Sequence, residues 1–210
     1  MSDTAKEKKR ETIIAAALQV FRRKGFNGAT IAEIAVAAGI GKGTVYEYFP
    51  SKAMLIHEAL LFLLRHIESI IFGIAVLRIP PADKLRRMID AFSFLEQEGA
   101  MAELNLLSDY WAEAFRQGDS ANIYTLEFKK SYENARRLFM DVIEEGMAKQ
   151  EFRSDVRPEL LAAAIVGMLD GLFLQWYLDR ERVPYARVID HFCTCLLRGI
   201  RPPSPPGEIV

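Results

Sequence analysis

The chain has 210 residues, half of them apolar and about a quarter charged, with a net charge of −1. This composition suits one or two folded domains and excludes a disordered or fibrous protein. Uninterrupted apolar runs such as 70–77 fall well short of the ~18 residues that a membrane span needs, so no span is expected.

Helical periodicity dominates from the start. In 7–24, Ile14, Ala17, Leu18 and Phe21 recur at i, i+3, i+4, i+7, and Gly25 supplies a helix-ending residue. The basic front of this segment runs straight into "RRKG" with no cleavage site, so it reads as an amphipathic helix and not a leader. The stretch "TIAE" (30–33) has the form of a capping box, with Thr30 capping a new helix and Glu33 reaching back. Gly39-Ile40-Gly41 predicts a turn, and a second short helix is expected over 42–48, broken by Pro50. Ser51 then caps a long helix from Lys52 to about Leu77. Further helices are predicted at 82–98, 101–117, 120–149, 158–180 and 184–199, and the proline-rich 201–210 is expected to be a disordered tail. No stretch alternates with period two for long enough to make a strand. The fold class expected is all-α.

Charge is unevenly spread. Residues 1–60 hold nine basic groups against six acidic ones, so a modestly basic end sits on a mildly acidic body, which is compatible with nucleic-acid contact through that end. The leading "KEKKR" (6–10) reads equally well as a solvated arm or as a phosphate contact.

The stretch "GIGKGT" (39–44) invites a nucleotide-binding reading, but a P-loop needs Gly-Lys followed at once by Ser or Thr, between a strand and a helix. Here Gly43 separates Lys42 from Thr44, and a helix precedes the turn. What remains is helix, tight turn, helix. Ile34, Ala35 and Ala38 on the first can pack against Val45 and Phe49 on the second, as in helix-turn-helix modules whose second helix enters the major groove. On that reading Lys42, Thr44, Tyr46, Tyr48 and Lys52 form a polar, cationic face, and Gly43 keeps the backbone uncluttered. Tyr46 and Tyr48 are expected on the solvent side, opposite Phe49, and Glu47 is expected to point to solvent.

The segment "GATIAEIAVAAGIGKGTVYEYFPSKAMLIHEAL" (28–60) resembles the DNA-binding part of the TetR family of bacterial transcriptional regulators, over residues 10–60. The resemblance implies a three-helix DNA-binding domain over 1–51, joined by a long helix to a helical effector-binding and dimerisation domain over 52–200. It implies that Thr30 caps its helix and reaches a phosphate, and that Lys42 and Gly43 lie at base edges or phosphates. It also implies that Thr44 and Tyr46 contact the backbone and a base, and that Tyr48 and Lys52 hold phosphates. Ala32 departs from relatives that carry an arginine there, which shifts part of the specificity to DNA shape. The implied partners are an operator duplex, a second copy of the chain and a small effector, with no cofactor and a cytoplasmic location. The function implied is a repressor released by its effector; an activator, or a small-molecule binding protein or enzyme retaining this domain, are the alternatives.

In the larger part, aromatic residues suit either a pocket for an apolar or flat molecule or an ordinary core. Trp111 and Phe115 are the leading pocket candidates, with Phe92, Phe128 and Tyr132. Gly167 and Gly171, four apart and flanked by Phe173 and Trp176, suit a helix–helix dimer interface, with internal packing as the alternative. His191, Cys193 and Cys195 alternate along a helix and cannot all converge on one ion, so no metal site is expected. No nucleophile or carboxylate constellation surrounds His57 or His66, so no catalytic site is expected. Two cysteines so close in sequence give no disulfide framework, which suits a reducing cytoplasm.

Overall fold

The computed structural model describes residues 3–96, 108 and 123–203. It is all-α: the described residues hold eight α-helices, one short 3-10 helix and no strand. Helix α1 spans Asp3–Gly28, and Gly25 breaks it at a left-handed φ of 65°, the position expected to end it. Helix α2 (Ile31–Ala37) starts at the capping box: the Glu33 amide donates to Thr30 Oγ1 and the Thr30 amide donates to Glu33 Oε2. It ends at Gly39, also at φ 65°, where the Gly39 amide donates to the Val36 carbonyl and the Ile40 amide to the Ala35 carbonyl. Such paired bonds close a helix only around a residue that tolerates positive φ. Helix α3 is Lys42–Tyr48 and α4 is Lys52–Ala75, with the Met54 amide donating to the Ser51 hydroxyl.

Then follow α5 (Pro81–Asp90), a 3-10 turn over Ala91–Glu96, α6 (Ile123–Ala148), α7 (Pro158–Leu178) and α8 (Tyr185–Ile200). The continuous helix expected over 82–98 therefore tightens after Asp90. The helix expected over 101–117 lies outside the described residues, as does the tail from 204.

The described residues divide into two compact units: 3–67 with 108 and 123–129, and 68–96 with 130–203. The first unit has a core of Ile13, Ala17, Phe21, Ile34, Val45, Phe49, Leu55 and Leu60, all nearly or fully excluded from solvent. One polar side chain, His57, is buried there. Burial pulls its pKa below the usual value near 6.5, against the neighbouring Glu58 and Glu127 carboxylates.

In the second unit, buried Lys84 on α5 pairs with Glu145 on α6 at 2.7 Å, and Glu145 also pairs with Lys149. Phe152 folds its ring under Gly146. Asp170, midway along α7, is held up to about 6 by burial, although the Tyr132 hydroxyl donates to it. Among the described residues, α7 is the helix that is long and apolar enough to cross a membrane by length and composition. Counting uninterrupted runs passes over it because Asp170 divides the sequence. One face of α7 packs inward through Ala162, Ile165, Leu169, Leu172, Phe173 and Trp176.

Two outcomes follow. An added Cβ at position 146 would sit 2.1 Å from the Phe152 ring, so Gly146→Ala should lower the thermal midpoint, at a cost of about 1–3 kcal/mol. One base and one acid, His57 and Asp170, act in opposite directions on pH. His57 is favoured neutral in the fold, so the first unit loses stability as pH falls below about 6.5. Asp170 is favoured protonated, so the second unit loses stability, by about 3 kcal/mol in all, as pH rises from near 4 through about 6. Urea melts across pH should show each slope, with His57→Gln flattening the first and Asp170→Asn the second.

Candidate nucleic-acid interface

Helix α3 has seven residues, too few to be stable alone. Its main anchors are Val45 and Phe49, both fully buried in a core shared with Ile34 and Ala35 of α2 and with α1 and α4. With those two turned inward, the helical repeat turns Lys42, Gly43, Tyr46 and Glu47 to solvent, and all four are exposed. Thr44 and Lys52 are half-buried. The Lys42 ammonium lies 5.9 Å from the centre of the Tyr46 ring. Gly41 precedes the helix and contributes no side-chain cap. Open space surrounds the point where a Cβ would stand at Gly43, and its φ is ordinary, so nothing in the protomer requires glycine there.

Tyr48 differs from expectation, and Thr30 caps its helix as expected. Tyr48 does not stand free on the solvent face; it is half-buried and packs against the core of the first unit, one position before Phe49 at the end of the helix. Thr30 is exposed, but its one hydroxyl proton is committed to Glu33 Oε2 at 2.9 Å, so donating to a phosphate would require giving up that bond. The Glu33 carboxyl is lowered to about 2 by the Lys24 ammonium and by the Thr30 hydroxyl and amide, and remains anionic at neutral pH. Glu47 is exposed as expected.

The remaining candidate residues divide between the two units. Phe128 packs against the core of the first unit; Tyr132, one turn further along α6, and Phe92 are both half-buried. Trp111 and Phe115 lie outside the described residues. Phe173 and Trp176 are buried within the protomer: Trp176 meets the Tyr185 ring of α8 at 5.6 Å, and Arg180 lies over Trp176 at 5.2 Å. They are internal packing, the alternative weighed for this helix, because an apolar residue on α7 can serve either of its two apolar faces. The outward face carries Leu160, Ala164, Gly167, Leu174 and Leu178, all exposed. Gly167 and Gly171 line an open groove with Gln175, Pro184 and Val188. On α8, Cys193 is buried beside Asp90 and its thiol is pushed up to about 12 by burial and by that carboxylate. Cys195 is exposed, with His191 Nε2 3.6 Å from its sulfur. Among the described residues no three His, Cys, Asp or Glu side chains gather as a metal site would need.

Comparison with known proteins bears on both units. Residues 13–59 match the family described as bacterial regulatory proteins of the tetR family, and residues 81–201 match the C-terminal part of the BetI-type transcriptional repressors. The transcriptional repressor DhaR of Mycobacterium sp. (strain GP1) is 26% identical over 203 residues, covering 92% of each chain. The regulator BetI of Serratia proteamaculans (strain 568) is 26% identical over 200 residues, covering 93% of this chain and 96% of its own. A solved TetR-family regulator from Mesorhizobium loti MAFF303099 superposes with a TM-score of 0.73 at 22% identity, covering 96% of this chain and all of the other. With both matched segments, an all-α fold and a short helix held out from a packed core, the chain belongs to the TetR family of ligand-responsive, DNA-binding transcriptional regulators.

Proposed function

We propose that this regulator is a repressor that binds a near-palindromic operator as a homodimer and leaves it when a small apolar or flat effector occupies the second unit. The observation that carries the reading is the division of α3, with Val45 and Phe49 wholly buried and Lys42, Gly43 and Tyr46 exposed. A glycine in the first turn of a helix costs up to about 1 kcal/mol. At Gly43 the protomer gains no packing in return, which fits a backbone that must lie close to DNA. Thr44 and Lys52 flank this surface and are assigned to phosphates. Thr30 is assigned to capping first, and Tyr48 to packing, with its hydroxyl the part left for a phosphate. Such a protein works where the chromosome is, in the cytoplasm.

Dimerisation is assigned to the outward face of α7. A stripe of Leu160, Ala164, Gly167, Leu174 and Leu178 in water is costly, and a symmetric second copy covers it with like surface. One seven-residue helix also reads too few bases to be selective, whereas two-fold symmetry doubles the contacts and fixes half-sites about one turn, ~34–36 Å, apart. The effector is assigned to the interior of the second unit, where Tyr132 and Asp170 are the polar pair and Phe92 belongs to the same unit.

Selection from a pool of random duplex DNA should enrich a near-palindrome with that spacing; failure to enrich any site from folded, effector-free protein would overturn the reading. Binding to the enriched site should weaken with log salt at a slope of about −0.9 per neutralised phosphate. Lys42→Ala and Lys52→Ala should each reduce that slope by about one unit. Leu174 is half exposed on the outward face of α7, so Leu174→Glu should leave the protomer folded while sedimentation shows a monomer.

A further inference from the structure

Arg10 is the one member of the basic run 6–10 that turns inward. Lys6, Lys8 and Lys9 are exposed, whereas Arg10 is half-buried. Its Nη2 lies 2.6 Å from Glu58 Oε1 on α4, and its guanidinium carbon lies 5.0 Å from the centre of the Phe49 ring. Phe49 is the residue that closes α3 and is fully buried. One planar cation from α1 therefore touches the end of α3 and the second turn of α4 together. Glu58 has a second cation nearby, with Arg65 Nη2 at 3.8 Å from its other oxygen.

We propose that Arg10 is a positioning residue for DNA reading: it braces the C-terminal end of α3 against α4 and is not itself a phosphate contact. A guanidinium suits this task because its flat face can lie on a ring while its edge donates to a carboxylate. The brace matters because Val45 and Phe49 are the fully buried anchors of α3, with Tyr48 only half-buried beside them. Rotation of α3 about its other anchor, Val45, would move Lys42 and Tyr46 relative to the bases without unfolding the unit. An ion pair between two partly buried groups resists that rotation more than a surface pair would, since solvent screens it less.

Glu58 distinguishes the brace from a charge effect. If Arg10 served DNA through its charge, removing the nearby anion would strengthen binding; if the two groups form one brace, removing either weakens it. Arg10→Gln, Arg10→Lys, Glu58→Gln and the double Arg10→Gln/Glu58→Gln variant should be compared, at a temperature where circular dichroism shows all of them folded. The probes are the duplex enriched by the unaltered protein and a scrambled duplex of equal length. Arg10→Gln and Glu58→Gln should each weaken binding to the enriched duplex by roughly tenfold, with salt slope and scrambled-duplex affinity unchanged. Arg10→Lys should recover part of the loss, and the double variant should fall little further than either single one.

Hydrogen exchange on the DNA-free protein gives a readout independent of any operator. In Arg10→Gln the Phe49 amide, which donates to the Val45 carbonyl, should exchange faster while the amides of α2 keep their protection. A slope reduced by one unit in Arg10→Gln, tighter binding by Glu58→Gln, or unchanged exchange at Phe49 would each overturn the proposal. Lack of an enriched duplex would instead count against the repressor reading, and exchange alone would then decide the role of Arg10.

Discussion

A helix of seven residues cannot hold itself together in water, and the DNA-facing part of this protein is such a helix. The ordering entropy of α3 exceeds what its few internal hydrogen bonds return. Its conformation is therefore borrowed from its surroundings through Val45 and Phe49. Much of the first unit serves that loan: α1 and α4 supply the apolar wall, the Thr30–Glu33 box fixes where α2 begins, and the left-handed Gly39 fixes where it ends. The angle at which α3 leaves the core follows from these three constraints together.

The same arrangement explains why the polar residues of α3 are available for binding at all. With two anchors at i and i+4, the intervening positions 46 and 47 face away from the core by helical geometry. The exposed group is thus a by-product of how the helix is held, and altering an anchor alters the whole presented set. In the second unit the logic is reversed. There α7 is apolar on two faces, one spent on α8 and the interior through Trp176 and Tyr185, the other left outward. Ion pairs such as Lys84–Glu145, with the lysine buried, tie α5 to α6.

Features set by neighbours in sequence were legible before any coordinates. The capping box, the Gly39 turn, the limits of α3 and the Ser51 cap each depend on residues within four positions of one another, and each appears where the pattern placed it. What depends on distant partners was not legible. Tyr48 reads as a solvent-side tyrosine until the wall it leans on is known, and nothing near Phe128 in sequence says that it packs against the first unit's core. Phe173 and Trp176 fall on a helix whose two apolar faces give the same periodic signal, so the sequence does not distinguish the inward face from the outward one. Arg10 looks like its lysine neighbours in composition; only the position of Glu58, forty-eight residues on, sets it apart.

Helical glycines among the described residues differ in what surrounds them. Gly146 is required by the Phe152 ring beneath it, whereas Gly43, Gly167 and Gly171, like Gly73 and Gly199, have open space where a side chain would go. Each of the latter weakens its helix, and the protomer alone recovers nothing for it. Directed evolution that rewards expression or heat resistance would therefore replace those three with alanine early, because each replacement improves the isolated fold. The resulting lineage would be sturdier, and it would have been rewritten at the three positions where the backbone of α3 and α7 is barest to the outside. Screens of that kind need a functional counter-selection at 43, 167 and 171 above all.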